Sequence, residues 1–314
     1  MRILRWAHGA IVVCCALLFP LSAAGAGGPP AQKLPSALLV YPLIEATGEK
    51  DTRIELVNLS GNPVSVECFY VASGSCNEVG FMVYLTPYQP LSWLASGGKN
   101  DVMTGSSVPP FFGAGEMKCA VHPPHPEVQY HNAIQGRAIV FRIADGQSAS
   151  YGAVGFQRLS DGEMTGTFSL NGTTYAQCPN KLHFEVLNDV FDEQTGAPLS
   201  TSEMILVPCA EDLRLQIPTG MSVQVLIYNE FESQYSASFA LLCSDRRTLS
   251  EIANTLNRAV GGTDTAHVVI RGVGGPVLGL VVDTLRFRGQ NGTTGNEPSF
   301  EGGRSATVYF PEPQ

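Results

Sequence analysis

Short apolar runs that break off at turn residues recur from one end of this chain to the other, and they narrow the fold more than any other feature. Residues 37–43, 52–59 and 64–71 open the series, with Ser60-Gly61-Asn62-Pro63 as the turn between the last two. Residues 81–85, 137–143 and 153–159 continue it. Within Thr52-Arg53-Ile54-Glu55-Leu56-Val57 polar and apolar residues alternate, which sends one set of side chains into a core and the other to a wet face. A chain that turns this often, with 33 Gly and 21 Pro in 314 residues, does not build a helical bundle or a coiled coil. At 44% hydrophobic and 15% charged residues it is also too apolar to stay disordered. The pattern predicts an all-β protein of antiparallel sandwiches.

The length suits two units, each large enough to bury a core. The second half repeats the order of the first. Met204-Ile205-Leu206-Val207-Pro208 echoes Leu38-Leu39-Val40-Tyr41-Pro42, residues 223–229 echo 52–58, and residues 238–243 echo 64–68. A diverged duplication of an immunoglobulin-like sandwich follows. It puts strand 52–58 in the place of 223–229 and Cys68 in the place of Cys243; the alternative is that any two sandwiches look alike at this level. One helix is expected, over 248–260. Thr248-Leu249-Ser250-Glu251 forms a capping box, Leu249, Ile252, Ala253 and Leu256 share a face, and Gly261-Gly262 closes the segment. Gly272-Val273-Gly274-Gly275 reads as a hairpin and Asn171-Gly172 as a tight turn. The expected division is a signal peptide over 1–26, a flexible leader over 27–35 and a first sandwich over 36–160. A connecting loop or hairpin over 161–185, a second sandwich over 186–290, and a Gly-rich loop with a final strand over 291–314 complete it.

The signal peptide is read from Arg2 and Arg5 ahead of an apolar run over 10–21, followed by the small residues Ala24-Gly25-Ala26. The run is too short to span a bilayer, so cleavage after Ala26 and no membrane anchor are expected. Cleavage removes two arginines and no acid, deepening the formal charge from −9 to −11. That balance opposes an electrostatic grip on nucleic acid. It also leaves six cysteines, Cys68, Cys76, Cys119, Cys178, Cys209 and Cys243, which in an exported chain read as disulfides. Each half holds three of them, so full pairing forces at least one bridge across the boundary. The repeat favours Cys68–Cys119 and Cys209–Cys243, leaving Cys76–Cys178 to cross; a local Cys68–Cys76 pair is the competing arrangement.

Several segments together resemble a group of uncharacterised exported bacterial proteins. They are residues 37–42 ahead of 51–58, Gly115-Glu116-Met117-Lys118-Cys119, Gln177-Cys178-Pro179-Asn180-Lys181-Leu182-His183-Phe184, residues 206–213, and residues 223–238 with their Tyr-Asn-Glu-Phe-Glu segment. The resemblance covers most of the mature chain. It implies export and a shared fold and brings no activity with it. Some proteins of that group carry Cys-rich insertions after the position of Cys76, where this chain is compact, which leaves the partner of Cys76 open.

Reaction chemistry has little foothold. Gly146-Gln147-Ser148-Ala149-Ser150 lacks the closing glycine of a nucleophile elbow, and neither a zinc helix nor a phosphate-cradling loop occurs. The candidate ligands for a metal are His122, His125 and His131, near Glu127, which suit zinc or copper, and Asp189 and Asp192 beside Asn188 and Glu193, which suit calcium. The bland readings are a Pro-rich surface loop and a solvated acidic turn, and no cofactor is expected. Two aromatic groups, Tyr84, Tyr88 and Trp93 and then Tyr228, Phe231 and Tyr235, either fill the core or contact a protein or glycan partner. The sequence therefore reads as a non-enzymatic exported protein that binds, adheres or serves as a scaffold. The rivals are a metal-dependent module or enzyme using the 122–131 loop and an accessory subunit of a surface assembly.

Overall fold

The computed structural model describes residues 34–101, 106–122, 132–160, 166–215, 217, 220–252, 263–287 and 290–311. The signal peptide, most of the leader, His125 and His131 lie outside the described residues. The first half contributes β1 (Leu38–Ala46), β2 (Lys50–Asn58), β3 (Val64–Ala72), β4 (Glu78–Leu85), β5 (Pro90–Leu94), β6 (Lys99–Asp101), β7 (Ser106–Val108), β8 (Gly113–His122), β9 (Ile134–Arg142), β10 (Ser148–Gly152) and β11 (Val154–Phe156). The second contributes β12 (Thr167–Leu170), β13 (Cys178–Phe191), β14 (Pro198–Pro208), β15 (Glu211–Asp212), β16 (Met221–Asn229), β17 (Gln234–Leu241), β18 (Asp245–Thr248), α1 (Leu249–Ile252), β19 (Thr265–Val273), β20 (Val277–Phe287), β21 (Gln290–Asn296), β22 (Ser299–Arg304) and β23 (Ala306–Tyr309). Among the described residues the chain is all-β apart from the short α1, and antiparallel apart from one short ladder, as the alternation predicts.

In the first half a five-stranded sheet, β11-β1-β8-β3-β4, packs on a four-stranded one, β10-β9-β2-β5. Tyr41, Tyr70, Ile54, Leu56, Trp93, Met117 and Val140 fill the space between them. In the second half β17-β16-β19-β13 packs on the sheet built around β14, β20 and β21, with Phe184, Leu206, Val225 and Val268 between. Period-two patterning explains both cores: along β16 every second residue is buried, from Met221 to Asn229.

The halves are not beads on a linker. Ile205 and Leu280 of the second half join the first core. A further core draws Leu38, Val40, Phe69, Val71 and Ala120 from the first half and Phe168, Val207, Leu278, Val308 and Phe310 from the second. A small sheet, β12-β23-β15, caps this seam. Its β15–β23 pairing is parallel, with Glu211 opposite Val308. Glu45 adds an ionic tie, reaching Arg246 at 2.6 Å and Lys50 at 3.1 Å.

The second half departs from the sequence reading in three places. Residues 272–275 are not a hairpin: they carry the chain from β19, between β16 and β13, across to β20, which pairs with β14 and β21 in the facing sheet. Residues 291–303 form β21 and β22 rather than a loop, because edge strands need backbone partners, not apolar side chains. The glycines there also permit close approach: a Cβ at Gly295 would sit 2.8 Å from the Ser150 carbonyl of β10. Residues 161–185 are not only a connection, since β12 lies within them and β13, the longest strand, begins at Cys178. Asn171-Gly172 does turn the chain, with Gly172 at φ 80° and the Asn171 carboxamide accepting the Thr173 and Thr174 amides. The helix begins where expected, the Thr248 amide donating to Glu251 at 2.7 Å, but α1 is described only to Ile252; the rest of 248–260 lies outside the described residues.

The repeat holds for one pair of strands and fails for the next. β2 lies between β5 and β9, and β16 between β17 and β19, with Asn58 opposite Ile134 and Asn229 opposite Ala266. Both asparagines cap their turns, Asn58 accepting the Ser60 amide and Asn229 the Phe231 and Ser233 amides. The chain then crosses to the opposite sheet after Asn58, whereas after Asn229 it folds straight back as β17. Cys68 therefore lies in mid-strand, Cys243 lies beyond a strand end, and the two are not equivalent.

The disulfides follow from this. Cys68 and Cys119 stand directly opposite on β3 and β8 and are bridged, as expected. The other two expected pairs are replaced by Cys178–Cys209 and Cys76–Cys243. Cys178 and Cys209 sit nearly equidistant from the β13–β14 turn, at the far ends of two strands that pair beside the turn and then splay into different sheets, and their Cα atoms are 6.3 Å apart. That symmetry is invisible when 161–185 is read as a connection. Cys243 is left facing Cys76 in the β3–β4 turn, and their bridge makes the crossing that parity requires.

Candidate functional site

Two faces gather chemistry-bearing side chains. The first is the seam side of β8. Met117, Cys119 and Val121 point into the first core. Their alternates Glu116, Lys118, Ala120 and His122 form the opposite face, which in a lone sandwich would be wet. Here β15 and β23 cover it. Lys118 is completely buried, with its ammonium 2.7 Å from Glu116 Oε2 and hydrogen-bonded to Glu211 Oε2. Val40 and Phe69 flank Lys118 on the neighbouring strands. Glu116 is equally buried, and its Oε1 has no hydrogen-bond partner.

Burial raises the Glu116 carboxyl well above the ordinary carboxylate range, against the pull of Lys118 and with the push of Glu211. The same desolvation opposes the Lys118 charge, but the two carboxylates outweigh it and hold the ammonium above its usual pKa. Glu78, at the rim, is pushed from 4.5 to about 7, first by desolvation and then by Glu211. Three carboxyls around one ammonium leave a surplus of negative charge that protons must relieve. Sequence reading missed this cluster, because alternation assigns such residues to solvent. The one signal was the unbroken apolar run of β1 beside them, which is buried on both faces.

The second face is the outer side of β17-β16-β19-β13. Leu226 and Tyr228, at 38% and 37% exposure, are open to solvent. Tyr228 stands opposite His267, and their rings are 6.1 Å apart; His267 and His183 follow at 5.6 Å, so three tilted rings form a strip. Lys181, Arg271, Ser236 and Ser238 border it in a shallow groove of about 700 Å³. Glu301 of β22 anchors one end, 2.6 Å from both Lys181 and His183.

The metal candidates separate. His122 is buried, with Nε2 2.7 Å from Glu67 Oε2 and its ring against Phe310. Asp189 is buried on β13, its Oδ2 lacking a hydrogen-bond partner. Asp192 is instead a turn residue accepting the Gln194 and Thr195 amides, which lower its pKa. Asn188 donates its amide to Ser202. Among the described residues no three His, Cys, Asp or Glu side chains converge as a metal site. The aromatics divide too: Trp93 is core, donating to the Tyr70 hydroxyl at 2.7 Å, while Tyr88, Tyr228 and Phe231 are exposed.

The fold and these two faces define an all-β, predominantly antiparallel, disulfide-bridged β-sandwich protein. No known protein family matches the chain, and no curated protein matches it. No helix among the described residues is long and apolar enough to cross a membrane.

Proposed function

We propose that this is an exported, non-enzymatic binding protein of the bacterial cell envelope, whose ligand is a glycan lying along the outer face of β17-β16-β19-β13. The aromatic strip of Tyr228, His267 and His183 carries the reading. Flat rings offer a stacking surface to sugar faces, while Arg271, Lys181 and the two serines supply donors for hydroxyl or acidic groups. The rigid seam behind it suits a scaffold that presents one fixed face. The signal-peptide pattern over 1–26 and the disulfides support export. Retention of the purified chain on a panel of immobilised acidic and neutral envelope polysaccharides tests this. Tyr228→Ala and Arg271→Ala should each lose retention with unchanged circular dichroism; equal retention of variant and parent rejects the face as the site.

The accessory-subunit reading has one observation in its favour: among the described residues β17 pairs only with β16, which leaves an edge for a partner strand. A peptide that pairs with the β17 edge would block that mode without replacing the groove's side chains, and should leave glycan retention intact.

A further inference from the structure

We propose that Lys118 and Glu211 become joined by an amide bond between Lys118 Nζ and Glu211 Cδ, with Glu116 carrying the protons, so that the two halves are covalently locked across the seam. The proposal concerns the seam alone and does not depend on what the outer face binds.

Three observations converge. The amine and the acid are already in contact, the Lys118 ammonium hydrogen-bonding Glu211 Oε2. Both are held by backbone pairing: Lys118 on β8, between β1 and β3, and Glu211 on β15 against β23. Reactive groups fixed at contact distance react as if at very high local concentration. The surroundings are closed, since Lys118 and Glu116 have no exposed surface and Glu211 almost none. Desolvation works against the charged pair in this dry pocket; the two carboxylates still favour the ammonium, but burial narrows its advantage over the neutral amine and acid that amide formation requires. The third partner is in place as well. Glu116 lies beside the amine, has an oxygen without a hydrogen-bond partner, and is held in its acid form by burial and by the surplus of carboxyls.

The chemistry balances without oxidant or co-reactant. The Lys118 ammonium passes a proton to the Glu211 carboxylate. The freed amine attacks Cδ, and the Glu116 acid protonates the developing oxyanion. Glu116, now a carboxylate, takes a proton from the bonded nitrogen and passes it to one of the two hydroxyls, which departs as water, while the other hydroxyl returns its proton to Glu116 and leaves the amide carbonyl. The sum is ammonium plus carboxylate giving amide plus water, with Glu116 regenerated. Such a bond closes the stretch between residues 118 and 211. Unlike Cys76–Cys243, which makes a similar link, it survives reducing conditions.

Peptide mapping of the full exported chain, reduced and alkylated so that no disulfide contributes, decides the matter. Trypsin does not cut after an acylated lysine. Near-complete conversion should therefore appear as a branched peptide joining the segment around Lys118 to that around Glu211, lighter by one water than the two linear parts. Linear peptides with a free Lys118 overturn the proposal, as does water loss confined to a single linear peptide. Glu116→Gln, folded by circular dichroism, should abolish or greatly reduce the branched peptide; undiminished yield overturns the role given to Glu116. The wild-type map stands by itself should that variant fail to fold.

Discussion

The seam face of β8 and the outer face of β16 start from the same sequence device and end in opposite surroundings. Each alternates core residues with polar or mixed ones: Met117, Cys119 and Val121 against Glu116, Lys118 and His122; Val223, Val225 and Ile227 against Gln224, Leu226 and Tyr228. One is roofed by β15 and β23 and becomes a sealed ionic cluster. The other stays open and becomes a groove. Alternation thus specifies which residues share a face but not whether that face meets water, which depends on what a distant segment does. The cost of being roofed falls on the charges, and the structure meets it by gathering Lys118, Glu116 and Glu211 into mutual contact rather than by replacing them.

The largest expected effect breaks the sealed face. Lys118→Ala strands two buried carboxyls and should cost roughly 3–5 kcal/mol, read from urea unfolding. A loss below about 1 kcal/mol would mean the seam is wetter than its geometry. Next is the disulfide beside it. Replacing Cys76 and Cys243 together by serine should cost about 2–4 kcal/mol. It should also speed proteolysis at the seam more than at the β16 face; uniform cleavage would contradict the seam as the place where the halves part.

A smaller effect sharpens the contrast through pH. Glu78 binds its proton more tightly folded than unfolded, since its pKa rises from 4.5 to about 7. Its contribution is therefore fully present below about pH 4.5 and lost as pH climbs towards about 7. Between pH 7.5 and pH 5 the melting temperature should rise on acidification, and Glu78→Gln should flatten that slope; an unchanged slope removes Glu78 as its source. The smallest effect belongs to the open face. Tyr228→Ala should change stability by no more than about 0.5–1 kcal/mol, because the ring is already largely hydrated. A larger loss in thermal unfolding would mean that the strip is structural rather than a contact surface.

Much of this molecule was legible in local pattern. The strands 52–58 and 223–229, their terminal asparagines, the Asn171-Gly172 turn and the capping box at Thr248 all follow from neighbours a few residues apart. Short-range chemistry decides them, and the chain has to satisfy it wherever it lies. Parity of the cysteines likewise demanded a bridge between the halves. The identity of that bridge, the strands hidden in 291–303, and the sealing of Lys118 with Glu116 and Glu211 did not follow. Each depends on which segment lands on which, and residues far apart carry no local mark of their meeting. Sequence alone determined an all-β chain with two cores. Only the tertiary structure decided that β23, almost the last segment of the chain, returns to roof the first sandwich and turn its polar face into an interior.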